Sequence, residues 1–167
     1  MKDNLQEMLP LVDEQGRVTG AATRGFCHGG SKALHPVVHL HVFNPQGGLY
    51  LQRRPDWKDI QPGRWDTAVG GHMDCGETPE EALRREAREE IGLEAFEPRL
   101  LERYVFESLR ERELVYVYTC VSTREPRPSA EVDGGRYFGR DEIERLLGQD
   151  FFTPNFEQEW RRFFGKG

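Results

Sequence analysis

A helix with sharply marked ends is the feature of this chain that most limits its fold. Thr78 can cap the first turn, Pro79 suits the first helical position, and Glu81 stands three residues after the cap, where it can complete a capping box. Gly92 suits the left-handed backbone conformation that commonly ends a helix. The sequence therefore predicts a helix over residues 78–91.

Three glutamates gather on one face of this predicted helix. Glu86, Glu89 and Glu90 stand at positions i, i+3 and i+4, so their carboxylates project from the same side. Anions this close repel one another, and a hard cation among their oxygens would relieve the repulsion. Mg²⁺ and Mn²⁺ take carboxylate oxygens and keep coordination positions for water and substrate phosphates. The alternative is a solvent-facing acidic helix with ordinary ion pairs to neighbouring arginines.

The residues around these glutamates suit the same purpose. Arg85 can bind Glu77 through paired hydrogen bonds and hold the preceding loop against the helix. Gly70 and Gly71 let that loop pass close to the helix or to a ligand, because neither has a side chain. Seven fixed identities between Gly71 and Gly92 would match by accident with odds on the order of 10⁻⁵. The spacing therefore favours a functional pattern.

This spacing of glycine, glutamate and arginine over residues 71–93 resembles the signature of the Nudix family, and the resemblance extends over nearly the whole chain. It implies an α/β fold, the Nudix α/β/α sandwich with a mixed β-sheet between helices, in a single domain over residues 1–167. It also implies a pyrophosphohydrolase that cleaves the pyrophosphate linkage of a nucleoside diphosphate derivative or a similar organic diphosphate. One departure is Ala87, where the family usually has a bulkier aliphatic residue.

The resemblance assigns roles to individual side chains. Mg²⁺ or Mn²⁺ would be held by carboxylates of this segment, namely Glu86, Glu89, Glu90 and Glu77. The catalytic group would comprise Glu89, Glu90, Arg85 and Glu86, with Glu90 as the candidate general base. The cation would polarise phosphate and activate water, so a small-molecule diphosphate is the expected substrate.

The flanks of the signature resemble one branch of the family, the isopentenyl diphosphate isomerases and their hydrolase-like relatives. Those isomerases bind a divalent metal through three histidines and two glutamates, and the matching positions are His28, His35, His72, Glu111 and Glu113. In a strand, Glu111 and Glu113 would face the same side. A second metal site, whose nitrogen ligands suit manganese or zinc, is one interpretation. The other interpretation is that these histidines have only structural roles.

Isomerase chemistry itself is disfavoured by two replacements. The isomerases use a cysteine just before the Gly-His pair and a tryptophan in a late Thr-Pro-Trp motif, and these positions are Gly70 and Asn155 here. Of the carbon-protonating residues only Glu113 remains, whereas the carboxylates of the signature are all present. Hydrolysis is therefore the leading prediction and isopentenyl diphosphate isomerisation the second. A non-catalytic Nudix-fold binding module is a third alternative, but it would be expected to lose metal-binding glutamates.

Basic residues shortly before the signature are candidates for binding the diphosphate, since guanidinium and ammonium groups suit phosphate: Arg53, Arg54, Lys58 and Arg64. Each of them can equally be ordinary surface charge. Residues 108–110, beyond the signature, match no substrate-specifying motif for ADP-ribose, dinucleoside polyphosphates or coenzyme A.

Hydrophobic patterning predicts the remaining elements. Strands are expected at residues 9–12, 17–20, 37–43, 49–53, 65–69, 100–108 and 113–121, and further helices at 141–147 and 155–164. Strands before, between and after helices indicate a mixed sheet covered by helices.

Composition argues against several classes of protein. The net charge of −6 disfavours a nucleic-acid polymer as partner. No apolar run reaches the roughly 18 residues of a membrane span, and residues 1–9 lack the apolar core of a signal peptide, so a cytoplasmic location is expected. The cysteines form no CxxC pair, which disfavours a thiolate zinc site.

Association into a homodimer is a further expectation.

Overall fold

The structure is a computed structural model, and it describes residues 4–58, 61–130 and 132–165. The helices are α1 (Arg24–His28), α2 (Pro79–Ile91), α3 (Arg140–Leu146) and α4 (Pro154–Phe163). The strands are β1 (Met8–Val12), β2 (Val18–Thr23), β3 (Leu34–Phe43), β4 (Leu49–Arg53), β5 (Trp65–Thr67), β6 (Val69–His72), β7 (Arg99–Glu107), β8 (Arg112–Val121) and β9 (Gly135–Phe138).

A mixed sheet forms the centre of the described part of the chain. Strands β5, β4, β3, β8 and β7 follow one another in hydrogen-bonded order, while β6 pairs with β3 and β9 pairs with β4. Strands β3 and β8 are parallel, with Leu34 opposite Arg112 and Phe43 opposite Val121. The other pairs are antiparallel, and β1 and β2 form a separate pair. The parallel register places the beginning of β3 beside the beginning of β8.

Helices cover both faces of this sheet. Successive residues of a strand point to opposite faces, and Val38 and Leu40 of β3 pack in one buried cluster with Leu83 of α2. On the other face, Leu51 of β4 belongs to a cluster with apolar residues of α3 and α4, including Trp160. The predicted α/β/α arrangement with a mixed sheet between helices is therefore confirmed.

Helix α2 has the ends that the sequence predicted. The Thr78 hydroxyl accepts from the Glu81 N–H at 3.2 Å, and the Glu81 carboxylate accepts from the Thr78 N–H at 2.9 Å, which completes the capping box. Gly92 ends the helix with φ +63°, in the left-handed region. The two ends fix which residues of α2 face the preceding loop.

Some elements differ from the predicted ones. Helix α1, capped by Thr23, and strand β9 were not predicted, because such short elements hold too few residues for a periodic pattern. The strand expected at residues 65–69 is two strands, β5 and β6, which pair with β4 and β3 respectively. Strand β3 begins at Leu34 and runs through Pro36, earlier than expected. Among the described residues, no helix combines the length and the apolar character needed to cross a membrane.

Candidate active site

A cavity of about 1250 Å³ lies beside β6 and α2. Glu86, Glu89 and Glu90 all line it. The Glu86 side chain is 16% exposed, and the Glu89 side chain is 55% exposed. The helical spacing therefore brings the three carboxylates to one cavity, as the sequence predicted, instead of spreading them over an open surface.

Glu90 is held against the cavity wall by Gln52, whose Nε2 donates to Glu90 Oε1 at 3.2 Å. The second oxygen, Oε2, is buried and has no hydrogen-bond partner among the described residues. Burial and the neighbouring Glu86 carboxylate raise the pKa of Glu90 well above its ordinary value. Burial also raises the pKa of Glu86. A buried, unpaired oxygen beside a second carboxylate fits a divalent cation.

Arg85 ties helix α2 to the loop before it. Its Nε donates to Glu77 Oε2 at 2.8 Å and its Nη2 donates to Glu77 Oε1 at 2.9 Å, which is the paired contact expected from the sequence. The guanidinium also donates to the His72 carbonyl at 3.0 Å and to Glu86 Oε1 at 2.8 Å. Arg85 therefore fixes the end of β6, the loop and the Glu86 carboxylate relative to one another.

Glu77 is placed differently from the other candidate metal ligands. Both of its oxygens accept from Arg85, and Oε1 also accepts from the Asp74 N–H at 2.7 Å. The hydrogen bonds from Arg85 lower the pKa of Glu77. Glu77 is not among the described residues that line the cavity. The structure therefore does not bring Glu77 to the cavity that the three helical carboxylates line, because Glu77 lies in the loop before α2, where it anchors Arg85.

Gly71 allows β6 to approach the Glu86 carboxyl. A Cβ atom at this position would lie 2.3 Å from Glu86 Cδ, which is too close for any side chain. At Gly70 a Cβ atom would lie 3.5 Å from His39 Cδ2, an ordinary contact distance. The predicted close approach is therefore confirmed at Gly71, whereas Gly70 leaves space on the opposite face of the strand.

The histidines and glutamates of the isomerase-like pattern converge at the beginning of β3 and β8, and we call them the five-residue cluster: His28, His35, His72, Glu111 and Glu113. The histidine ring centroids lie 5.0, 5.4 and 5.6 Å apart. His28 Nε2 lies 3.0 Å from His72 Nε2 and 3.2 Å from Glu111 Oε2. His35 Nε2 lies 3.8 Å from Glu111 Oε2 and 3.9 Å from Glu113 Oε2. The ligand atoms form two groups that share His35, and within each group they lie within 4.8 Å of one another: the three histidines, and His35 with Glu111 and Glu113.

The electrostatics of the five-residue cluster suit a cation. Burial lowers the pKa of His35 and contributes most to lowering that of His72. Burial raises the pKa of Glu111, and burial together with Glu111 raises the pKa of Glu113 to about 7. His35 Nδ1 lies 3.0 Å from the Ala33 carbonyl, while its buried Nε2 has no hydrogen-bond partner among the described residues. A neutral imidazole whose other nitrogen is held by a carbonyl is the form that binds a metal ion.

The four basic residues expected to bind the diphosphate divide into two pairs. Arg54 and Lys58 line the cavity. Arg53 does not, because Gln52 points into the cavity and successive residues of a strand point to opposite faces. Arg53 instead pairs with two aspartates that lie outside the cavity lining, and Arg64 pairs with a third. The structure therefore does not bring Arg53 or Arg64 to the cavity.

Sequence reasoning missed several side chains of the cavity wall, which are Arg24, His39, Gln52, Asp66 and Ser129. The alternating orientation of successive side chains along β4 could have indicated Gln52. The others come from elements far apart in the chain, so no local pattern joins them. Asn155, which replaces the isomerase tryptophan, also lies at the cavity.

Comparison with known proteins decides the family. The model of the NUDIX domain matches residues 33–158. The chain belongs to the Nudix family. Its Nudix relatives include an isopentenyl-diphosphate Delta-isomerase from Streptomyces griseus, 34% identical over 137 residues, which are 78% of this chain and 70% of that protein. An uncharacterized Nudix hydrolase from Streptomyces coelicolor is 29% identical over 160 residues, which are 93% of this chain and 87% of that protein.

Other isomerases match over a shorter Nudix region. One from Kocuria rhizophila is 37% identical over 93 residues, which are 56% of this chain and 52% of that protein. The chain thus spans about half the length of several curated relatives that it matches. Among solved structures, DR0079 from Deinococcus radiodurans has a TM-score of 0.79 and 30% identity, covering 95% of this chain and all of that one. A MutT protein from Methanosarcina mazei, with a TM-score of 0.64, 22% identity and coverage of 81% and 98%, shows the Nudix fold alone.

Proposed function

We propose that this protein is a divalent-metal-dependent hydrolase that cleaves the pyrophosphate linkage of a nucleoside diphosphate derivative or a similar organic diphosphate. One observation carries the proposal: Glu86, Glu89 and Glu90 converge on one cavity, where an oxygen of Glu90 is buried without a partner among the described residues. These three carboxylates would hold Mg²⁺ or Mn²⁺. Arg54 and Lys58 line the same cavity and supply positive charge for the diphosphate.

The side chains around the cation have separate roles in this reaction. When bound, the cation supplies positive charge to the phosphate oxygens and acidity to water. Glu90 accepts the proton of the attacking water in this proposal, because Gln52 orients its carboxylate at the cavity wall. The water oxygen bonds to phosphorus while the bridging phosphorus–oxygen bond breaks, and the leaving phosphate takes the electron pair. Arg85 holds Glu86 in place during this step.

Substitution of Glu90 tests the proposal. We expect Glu90→Gln to lower turnover by at least about 10²-fold, since it removes both a metal ligand and a proton acceptor. Turnover is measured as monophosphate released from a panel of nucleoside diphosphate derivatives with Mg²⁺ or Mn²⁺. Glu80→Gln is the matched control, because Glu80 lies on the same helix, has a side chain that is 59% exposed and forms a surface ion pair with Arg84. Equal turnover in the two variants would reject the proposed site.

The five-residue cluster supports a second cation, Mn²⁺ or Zn²⁺, bound by nitrogen and carboxylate ligands. Metal content of the protein dialysed against Mn²⁺ tests this directly, by elemental analysis. We expect the double variant His28→Gln, Glu111→Gln to retain about one equivalent less metal than the wild type. The Glu90→Gln variant should keep the metal of this cluster. Unchanged metal content in the double variant would show that the cluster is structural.

Isomerisation of isopentenyl diphosphate is the second candidate, favoured by the convergence of the five-residue cluster and by the names of the isomerase relatives. Against it, Gly70 and Asn155 offer no thiol and no tryptophan at the cavity. Formation of dimethylallyl diphosphate from isopentenyl diphosphate is the discriminating assay. Detection of this product would favour the isomerase over the hydrolase. A binding module without catalysis would show a melting temperature raised by metal, but it would turn over neither the nucleoside diphosphate derivatives nor isopentenyl diphosphate.

A further inference from the structure

A buried carboxylate on α4 joins three elements behind the cavity. The Glu159 side chain is 1% exposed. Its Oε2 accepts from the Tyr104 hydroxyl of β7 at 2.5 Å and lies 2.7 Å from His39 Nδ1. Its Oε1 lies 2.8 Å from His41 Nε2. A carboxylate buried this deeply needs a positive charge beside it, since an unpaired buried anion is costly.

The geometry places that positive charge on His39. Nδ1 of His41 is buried without a hydrogen-bond partner among the described residues, whereas neither ring nitrogen of His39 is both buried and unpaired. His39 lies in the cavity wall with a side chain 16% exposed. Burial opposes its charge, but the Glu159 carboxylate, aided by the nearby acids Glu113 and Asp66, outweighs burial and raises the pKa of His39 to about 9.

The second ring nitrogen of His39 is open towards the cavity. Nδ1 is taken by Glu159, whereas Nε2 has no hydrogen-bond partner among the described residues. The ring edge that carries Nε2 faces Gly70, where a Cβ atom would lie 3.8 Å from Nε2. Because residue 70 has no side chain, nothing at this position covers the nitrogen. The pair of Glu159 and His39 therefore presents a fixed N–H donor at the cavity wall.

We propose that His39 is an anion-binding residue, whose Nε2–H donates to a phosphate oxygen of the substrate through the opening left by Gly70, with Glu159 positioning the ring. The inference rests on the diphosphate chemistry proposed above. It adds a contact on the sheet face opposite to Glu86 and Glu90, where β3 presents His39. The alternative is that the ion pair of His39 and Glu159 serves only to hold α4 against the sheet.

Titration with inorganic pyrophosphate in the presence of EDTA tests this inference without any metal or turnover. Nitrogen NMR of the histidine rings follows His39, whose signals are assigned by their loss in His39→Asn. We expect pyrophosphate to shift the Nε2 signal of His39. Asparagine keeps a donor for Glu159 but removes Nε2, so His39→Asn should bind pyrophosphate about tenfold more weakly, as expected for one hydrogen bond to a charged group.

Two further variants separate binding from folding. Gly70→Ala leaves the Glu159 contacts untouched but narrows the approach to Nε2, so it should also weaken pyrophosphate binding. His41→Gln removes a neighbour of Glu159 that does not line the cavity, so it should bind pyrophosphate as the wild type does. A His39 signal that does not move, or wild-type affinity in His39→Asn or Gly70→Ala, would overturn the inference. These titrations contain no metal and measure binding alone, so their outcome does not depend on whether the hydrolase assay detects turnover.

Discussion

At the scale of single residues, the two adjacent glycines of β6 have different neighbours. A side chain at residue 71 would overlap the Glu86 carboxyl, whereas one at residue 70 would make ordinary contact with the His39 ring. Neither glycine has a positive φ, so space rather than backbone freedom decides both positions. The sequence predicts that glycine is useful here, but only the packing of α2 on one face of β6 shows which of the two is indispensable.

Gly71→Ala should therefore damage the carboxylate site. The added methyl must displace Glu86, and overpacking of this kind costs roughly 1–3 kcal/mol. We expect Mn²⁺ affinity, measured by isothermal titration calorimetry, to fall by about tenfold or more. Gly70→Ala is the neighbouring control and should keep the Mn²⁺ affinity of the wild type. If both alanine variants bind Mn²⁺ equally well, Glu86 is not a ligand.

Helix α2 shows what can be predicted at the scale of an element. Its cap, its first turn and its left-handed end all lie within residues 78–92, and each is confirmed. Local hydrogen bonds of Thr78 and Glu81 determine the start, so distant parts of the chain are not needed. Helix α1 and strand β9 are different, because each has too few residues for a periodic pattern, and β9 is held by its pairing with β4.

Removal of the cap should destabilise the whole protein slightly. Thr78→Ala removes the acceptor for the Glu81 N–H, and we expect a free energy of unfolding lower by about 1 kcal/mol. Urea denaturation followed by circular dichroism measures the change. Thr78→Ser keeps the hydroxyl and should retain most of the wild-type stability. Indistinguishable unfolding curves for the alanine and serine variants would show that the cap does not stabilise α2.

At the scale of the whole molecule, the network of Glu159 fastens α4 to the sheet. Its partners lie on β3 and β7, so one carboxylate connects three elements that are distant in the sequence. The sequence places histidines on alternate positions of β3 but gives no sign that a glutamate of the last helix meets them. This network, like the five-residue cluster, exists only because the chain folds back on itself.

Stability should fall at alkaline pH because of this network. The folded state raises the pKa of His39 to about 9 from an ordinary value of 6.5, so the folded protein binds this proton more tightly than the unfolded chain. The contribution is fully present below pH 6.5 and is lost as the pH rises through about 9, at a cost on the order of 3 kcal/mol. Urea denaturation at several pH values between 6 and 10 measures it.

His39→Asn is the control for this pH dependence. Asparagine does not titrate, so the decline in the free energy of unfolding between pH 7 and 9, above the pKa of Glu113, should be largely lost in this variant. If His39→Asn loses stability over the same range as the wild type, another group is responsible. Tyr104, whose pKa is raised by burial and by Glu159, stays protonated across this range and does not confuse the result.

The sequence by itself determined helix α2, the shared face of Glu86, Glu89 and Glu90, and the pairing of Arg85 with Glu77, because these depend on helical spacing and on contacts between near neighbours. Tertiary structure alone decided which basic residues reach the cavity, that Glu77 stays outside the cavity lining, and that Glu159 meets His39. Such contacts depend on how strands pair and on which face each residue takes. A parallel register between β3 and β8 brings distant side chains within a few ångströms, and no local pattern encodes that distance.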